Sequence, residues 1–317
     1  MNIFGKFKDP PLILAPMAGI ADNAFRLLCK KHGADIVYSE MISSKAVYFN
    51  DKKTYELAKF EEAERPLILQ IFGSEPEIMA YAAKKLYEFC KPDGIDINMG
   101  CPVHKIVSGG DGSALMKSPS LVYEIVARVR EAVPCEVPVS VKIRKGMDDG
   151  NINFCEVALK AQEGGCDFIA LHGRTRVQMY SGKADLEAVK TLKETLSVPL
   201  IGNGDVTSPE SYDNMIKTGC DAVMIGRGSY GNPFIFNNLK RYRDGLDTVV
   251  PDRDTVKATI FEQLELSMKF KPEDIAIRES RKHISYYLKG FHGSAALRDA
   301  VNRADTKERL YEILNTF

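Results

Sequence analysis

Cys101 is the residue whose type and position most directly suggest chemistry. It directly precedes Pro102 in a turn that follows an apolar, strand-like run. An unperturbed thiol has a pKa of about 8.5 and is mainly protonated at neutral pH. Such a group can serve as a general acid as readily as a nucleophile, and the residue type alone leaves both roles open.

Metal binding is not expected at this cysteine. His104 lies three residues after Cys101, but no second ligand pair follows, and the seven cysteines include no Cys-x-x-Cys pair. A structural zinc site needs more ligands than this pattern offers. The odd number of cysteines also argues against a disulfide framework and predicts a reduced, cytoplasmic protein.

Two cations on one apolar run are the second feature of chemical interest. Lys142 and Arg144 alternate with apolar residues, so on a strand both cations point to the same side. Burying a lysine costs free energy unless it meets an anion or a reacting group. The alternative is a structural ion pair with Glu40 or Asp96, and both interpretations remain open from the sequence.

Two glycine-rich segments, at 202–205 (GNGD) and 226–228 (GRG), follow the last two apolar runs. Glycine lets the backbone approach an anion closely, and the last two loops of a (β/α)₈ barrel often bind phosphate. Glycine also ends strands in simple tight turns, which is the alternative. The doubled signal, with an arginine in the second segment, favours a phosphorylated ligand.

Apolar runs alternate with longer amphipathic stretches up to about residue 236, and eight such units match a TIM (β/α)₈ barrel of about 250 residues. Runs such as PLILAP and DAVMIG are apolar throughout, as parallel strands covered on both faces must be. An open doubly wound sheet would carry a Gly-x-Gly-x-x-Gly turn after its first strand, and this chain does not. The predicted strands are Leu12–Ala15, Asp35–Ser39, Leu67–Phe72, Gly94–Asn98, Val139–Ile143, Phe168–His172, Pro199–Gly202 and Ala222–Ile225.

The barrel prediction brings the polar residues together, because active sites of such barrels lie at the C-terminal ends of the strands. The residues at the predicted strand ends include Pro16, Met17, Ala18, Gln70, Asn98, Cys101, Lys142, Arg144, His172 and Arg174, followed by the two glycine-rich segments.

The pattern changes after the barrel. From Val256 to Met268 apolar residues recur at a spacing of four, and no strand signal follows. We therefore predict a barrel domain over residues 1–245 and a small helical domain over residues 246–317. Basic residues concentrate in one helical stretch, which is either a binding surface or an ordinary solvated face: Arg278, Arg281, Lys282, His283 and Lys289.

Composition sets few limits on function. The chain of 317 residues has 43 Lys plus Arg and 43 Asp plus Glu, so no overall charge attracts it to nucleic acid. A local basic patch remains compatible with this balance. The N-terminal segment lacks a long apolar run, so neither a signal peptide nor a membrane span is expected.

Ten segments in order resemble the tRNA-dihydrouridine synthases, most closely their bacterial B-type branch. The joint match is specific although each piece alone is short. The segments are APMAGIADNAFR (15–26), SEMISSKA (39–46), QIFGSEP (70–76), DINMGCPVHK (96–105), GSALMKSP (112–119), VKIRKG (141–146), LHGRTRVQMYSGKA (171–184), IGNGDVTSPE (201–210), MIGRGSYGNPFIF (224–236) and RESRKHISYYLKG (278–290).

The resemblance implies a TIM barrel that binds FMN, followed by a helical tRNA-binding domain. Cys101 would be the catalytic acid. Predicted flavin contacts are Pro16, Met17, Ala18, Gln70, Lys142, His172, Asn203, Gly204, Asp205, Gly226 and Arg227. Predicted contacts to the substrate are Asn98, Arg144 and Arg174 at the uridine, with Arg278, Arg281 and Lys282 on the helical part.

The implied reaction uses NADPH or NADH to reduce FMN, and then a uridine extruded from the tRNA D-loop is reduced. Flavin would pass a hydride to C6 of uracil and Cys101 would protonate C5. Two rivals remain: an FMN barrel acting on a small molecule, and a tRNA-binding protein without activity. A monomer is the default expectation. Asn232 and Asp111 depart from the family pattern near the expected tRNA surface.

Overall fold

The computed structural model describes residues 3–317 and contains nine parallel strands. All eight predicted strands are confirmed, with ends shifted by three residues or fewer. The ninth, a two-residue strand, was not predicted because its sequence is short and partly polar. The strands are β1 (Leu12–Leu14), β2 (Ile36–Tyr38), β3 (Ile42–Ser43), β4 (Leu67–Phe72), β5 (Gly94–Met99), β6 (Val139–Gly146), β7 (Phe168–Thr175), β8 (Leu200–Asn203) and β9 (Ala222–Ile225).

The sheet closes into a barrel. β1 pairs with both β2 and β9, and β2 pairs with β4, so the eight main strands form a ring, while β3 extends the pairing along β4. The predicted TIM barrel is therefore confirmed. Register places polar residues of neighbouring strands side by side: Gln70 beside Asp96, Asn98 beside Lys142, and Arg144 and Asn203 each beside His172.

Helices cover the barrel and continue after it, and every element after β9 in the described chain is helical. Ser208 caps its helix by accepting a hydrogen bond from Ser211, as expected for a serine before Pro209. The helices are α1 (Asn23–Lys31), α2 (Ser44–Tyr48), α3 (Lys52–Glu56), α4 (Pro76–Cys90), α5 (His104–Val107), α6 (Pro119–Ala132), α7 (Phe154–Glu163), α8 (Leu186–Thr195), α9 (Pro209–Ile216), α10 (Ile235–Arg243), α11 (Arg253–Phe270), α12 (Glu273–Tyr287), α13 (Ser294–Arg303) and α14 (Lys307–Asn315).

Two layers of apolar side chains stabilise the barrel. Alternate residues on each strand point outward and pack against the surrounding helices, including α10. The others point inward, and at the N-terminal end of the barrel they form an apolar floor. There Phe4 packs edge-on against Phe168 with ring centroids 5.0 Å apart.

The last four helices share an apolar cluster of their own, which includes Val256, Ile260, Leu264 and Leu314. Residues 244–252 connect α10 to α11 without helix or strand, at the position where the sequence predicts a domain boundary. The division into two domains stays a prediction. No helix in residues 3–317 is long and apolar enough to cross a membrane.

The last helices are joined to the barrel by charged contacts. Lys271, just after α11, pairs with Asp22 at 2.7 Å, and Lys31 of α1 pairs with Glu262 at 2.7 Å. Asp22 also caps α1 by accepting from the Phe25 N–H. The first loop of the barrel mouth is therefore in direct contact with the C-terminal helices.

Candidate active site

A cavity of about 730 Å³ opens at the C-terminal ends of the strands. All twelve residues predicted for catalysis or flavin binding line it, together with two predicted substrate contacts, Asn98 and Arg144. The twelve are Pro16, Met17, Ala18, Gln70, Cys101, Lys142, His172, Asn203, Gly204, Asp205, Gly226 and Arg227.

Cys101 faces this cavity from the turn after β5. The side-chain oxygen of Asn98 accepts hydrogen bonds from the backbone N–H groups of Gly100 at 3.1 Å and Cys101 at 2.9 Å. Burial raises the pKa of the Cys101 thiol, against the opposing effects of a backbone hydrogen bond and of the nearby cations. The thiol therefore stays protonated at neutral pH, as a proton donor requires.

Lys142 is half-buried and lines the cavity. Its Nζ donates to Asn203 Oδ1 at 3.0 Å, and burial with the charge of Arg144 lowers its pKa to about 8. The alternative ion pairs are not formed: Glu40 accepts from the Gly19 N–H, and Asp96 accepts from Gln70 at 2.7 Å and from Ser140. Lys142 is thus a half-buried cation that forms no ion pair with a carboxylate among residues 3–317.

Arg144 is held by backbone carbonyls. Its Nε donates to Gly100 at 2.8 Å, and Nη1 donates to Thr175 at 2.8 Å and Met179 at 2.9 Å. Burial lowers its pKa to about 10, so the guanidinium remains charged at neutral pH. Its position is fixed without neutralising its charge.

His172 is a neutral ring within hydrogen-bonding distance of Arg174. Burial, reinforced by the surrounding cations, strongly lowers its pKa. Arg174 Nη1 lies 3.3 Å from His172 Nε2. Because a guanidinium can only donate, Nε2 accepts and the ring proton is on Nδ1.

The two glycine-rich segments meet through one carboxylate. Asp205, at a left-handed φ of 54°, accepts from Arg174 at 2.7 Å, the Ala184 N–H at 2.8 Å and Arg227 at 3.0 Å. Burial opposes ionisation, but these hydrogen bonds and both arginine charges hold the pKa of Asp205 below its ordinary value. The carboxylate therefore orients two arginines, and Arg227 reaches the cavity rim.

The predicted substrate residues separate into three environments. Asn98 and Arg144 line the cavity. Arg174 lies behind it, 1% exposed, and donates to Ser181, Gly182 and Asp205. On α12, Arg278 and Lys282 are exposed and Arg281 is half-buried, all outside the cavity lining. His283, which the sequence grouped with these cations, is buried against Phe25, and burial lowers its pKa.

Sequence reasoning missed several residues of the rim. Tyr180 lies below the Arg227 guanidinium, 4.9 Å from ring centroid to Cζ, and could have been found because the motif at 171–184 contains it. Tyr286 of α12 packs against Tyr230 of the barrel, with the rings tilted and their centroids 4.7 Å apart, and Lys289 lines the same cavity. The family segments at 224–236 and 278–290 contain these three residues, and Lys289 belongs to the basic stretch named above, but neither pattern marks them as cavity-lining.

The cavity is positively charged. Its lining contains four cations, Lys142, Arg144, Arg227 and Lys289, against the single carboxylate of Asp205, which two arginines already bind. Such a lining suits a ligand carrying negative charge. No group of three or more metal-ligating side chains occurs within the described chain.

A closed parallel barrel with polar residues gathered at the strand ends is the architecture of the TIM-barrel enzymes. A solved structure of this kind, the old yellow enzyme homologue from Zymomonas mobilis, is similar with a TM-score of 0.53. It is 13% identical and the match covers 78% of this chain and 92% of that one, which supports the fold alone.

Sequence comparison is more specific. The model of the family described as dihydrouridine synthase (Dus) matches residues 13–317. tRNA-dihydrouridine synthase B of Pseudomonas aeruginosa is 39% identical over 92% of this chain and 88% of its own length. The protein of the same description from Vibrio parahaemolyticus is 37% identical over 96% and 95%. The chain belongs to the dihydrouridine synthase family and is an enzyme.

Proposed function

We propose that this enzyme reduces the C5–C6 double bond of uridines in the tRNA D-loop to 5,6-dihydrouridine, with FMN as cofactor and NADPH or NADH as reductant. The observation that carries the proposal is the position of Cys101, whose thiol pKa is raised by burial, at the wall of a cationic cavity in a chain of this family. The cytoplasm is the corresponding location.

FMN fits the shape and chemistry of the cavity. A side chain at Gly226 would project into it, with its Cβ 3.6 Å from Met17 Sδ and 3.7 Å from the Ala15 Cβ, so glycine leaves this space free. Arg227 and the glycine-rich backbone suit a phosphate, and Asn203 suits a ribityl hydroxyl.

Lys142 would meet the anionic edge of the isoalloxazine ring, and neutral His172 would contact the ring system. Pro16, Met17 and Ala18 would cover it, and Gln70 would reach its edge.

Reduced FMN bound there would supply the hydride for C6 of uracil. The chain's own task is to hold uracil and deliver a proton. Cys101 Sγ carries that proton and transfers it to C5, and the thiolate regains a proton from solvent. Asn98 holds the turn of Cys101 in place while Arg144, fixed by three carbonyls, is available for the uracil carbonyls.

The C-terminal helices favour tRNA over a small substrate. Tyr286 and Lys289 bring the helical part to the rim of the cavity, where Tyr230 and Tyr180 offer aromatic faces to an extruded nucleotide. Arg278, Arg281 and Lys282 would contact the phosphate backbone from α12. A helical domain of residues 246–317 would thus orient the tRNA over the barrel.

Reconstitution tests this proposal. Purified enzyme with FMN and NADPH is incubated with an unmodified tRNA transcript, and nucleosides are measured by mass spectrometry. We expect D-loop uridines to gain two hydrogens. Absence of dihydrouridine, together with rapid NADPH oxidation when a small enone is added, would instead establish the small-molecule oxidoreductase.

A further inference from the structure

A continuous chain of hydrogen bonds runs from the barrel interior to Cys101. Gln70 Nε2 donates to Asp96 Oδ2 at 2.7 Å, and Asn98 Nδ2 donates to Gln70 Oε1 at 2.8 Å. Asn98 Oδ1 in turn accepts from the backbone N–H of Cys101 at 2.9 Å. Asp96 is fully buried and does not line the cavity, so it reaches the site only through these neighbours.

The chain has a single direction because both of its ends have fixed polarity. At one end the N–H of Cys101 can only donate, so Asn98 must present its oxygen there and its amide nitrogen to Gln70. At the other end an ionised carboxylate can only accept, so Gln70 must present its nitrogen to Asp96. Each end therefore specifies the same orientation of the two amides between them.

We propose that Asp96 is a positioning residue for Cys101: its carboxylate sets the orientation of Gln70, Gln70 sets that of Asn98, and Asn98 holds the turn that presents the thiol. The proposal rests on the proposed function for its consequence in catalysis. The placement of the cysteine itself does not depend on the substrate.

Burial explains why an acceptor at this position matters. A buried carboxylate is costly unless donors satisfy it, and Ser140 Oγ donates to the other oxygen at 2.6 Å. Burial raises the pKa of Asp96 to about 6, against the opposing effects of Ser140, Gln70 and the charge of Lys142. At neutral pH the carboxylate is therefore still mainly ionised and orients Gln70.

The test compares Asp96→Leu with Asp96→Asn in the full-length protein with FMN added. Leucine has a similar shape but no acceptor, so Gln70 and Asn98 lose their fixed orientation. Asparagine keeps an oxygen for Gln70 because the Ser140 hydroxyl can rotate to accept from its amide. Ser140→Ala is the matched control, since it removes a donor to the same carboxylate but leaves the path through Gln70 intact.

The readout is the alkylation rate of Cys101 by iodoacetamide, followed by peptide mass spectrometry, with exposed Cys135 as internal reference. We expect Asp96→Leu to speed alkylation of Cys101 at least about tenfold, because Asn98 no longer holds the turn that carries the thiol. A tenfold change corresponds to the loss of one hydrogen bond to a charged group. Asp96→Asn, which keeps a neutral bond to Gln70, and Ser140→Ala, which leaves the path through Gln70 intact, should both stay within about threefold. A role in packing alone predicts no such difference, since leucine fills the same space.

Gln70→Leu interrupts the same path one residue nearer the thiol. It should speed alkylation of Cys101 as much as Asp96→Leu does, and the double variant should be alkylated no faster than either single variant. Asp96→Val repeats the test should the leucine variant fail to fold. A folded Asp96→Leu or Asp96→Val protein with the wild-type alkylation rate overturns the proposal, as does a Ser140→Ala effect of equal size.

Alkylation separates this proposal from the proposed function. Rates of dihydrouridine formation should fall in parallel with faster alkylation. If the wild-type enzyme makes no dihydrouridine, the proposed function fails, and the alkylation comparison still decides whether Asp96 positions Cys101.

Discussion

The floor and the mouth of the barrel are built from the same strands but have opposite character. On β7, Phe168 and Ala170 point into an apolar floor, whereas His172, farther along the same face, lies in the cationic mouth and Arg174 lies directly behind it. On β6 the same face carries Ser140, Lys142 and Arg144.

Stability and chemistry therefore reside at opposite ends of the barrel. The floor buries hydrocarbon at no electrostatic cost. The mouth contains a lysine with a pKa lowered to about 8 and an arginine with a pKa lowered to about 10, both through burial. The mouth therefore reduces stability in the free protein and is suited to an anionic ligand.

Phe168→Ala should have the largest effect on stability. It opens a cavity beside Phe4 and should lower the free energy of unfolding by about 3–5 kcal/mol, measured by urea denaturation. FMN affinity of the folded variant should be unchanged. Phe49→Ala, at a residue 75% exposed, should change stability by less than about 0.5 kcal/mol. Loss of FMN binding in the folded Phe168→Ala variant would mean that floor and mouth are not separable.

Lys142→Met should change the free energy of unfolding in the opposite direction. Replacing this half-buried, desolvated charge by an apolar group should raise the free energy of unfolding of the FMN-free protein by about 1–4 kcal/mol at pH 7, while weakening FMN binding.

The stability increase in Lys142→Met depends on pH because the folded and unfolded wild-type chains bind different numbers of protons at Lys142. Between pH 8 and about 10.4 the unfolded wild-type chain binds more protons at Lys142 than the folded one, so wild-type stability rises with pH. The advantage of the methionine variant should therefore shrink over this window. Lys190→Met, at an exposed lysine, is the control; a destabilised Lys142→Met protein would contradict the comparison.

Of the three substitutions, Arg227→Gln should have the smallest effect on the free energy of unfolding. Losing one hydrogen bond to a charged group should cost about 1.5–3 kcal/mol of FMN binding, or roughly 10- to 100-fold in affinity by fluorescence titration. Stability of the FMN-free protein should hardly change because Arg227 is 40% exposed. Arg176→Gln, on a neighbouring loop outside the cavity lining, should bind FMN normally; equal losses in both variants would exclude a specific phosphate contact.

Sequence reasoning located the mouth because strand ends can be read from apolar runs and a barrel gathers them on one face. It could not separate Arg144, which lines the cavity, from Arg174, which lies behind it. The two arginines differ because the backbone at Asp205 has a left-handed φ, and the Asp205 carboxylate binds Arg174 and not Arg144.

The helical part was less predictable. The rotation of α12 about its axis is set by its packing on α11 and on the barrel, which buries His283 and brings Tyr286 to the mouth. A charge pattern along one stretch contains no information on that rotation. The sequence therefore identified the basic stretch but not its face.

The central claim is that Cys101 donates the proton in uridine reduction. The most direct measurement mixes NADPH-reduced, FMN-loaded enzyme with unmodified tRNA and follows dihydrouridine formation in wild type and Cys101→Ala. We predict that the variant is reduced by NADPH at the wild-type rate, but that dihydrouridine forms about 10²–10⁴ times more slowly, the usual contribution of a general acid. Dihydrouridine formation at the wild-type rate by Cys101→Ala would contradict the account.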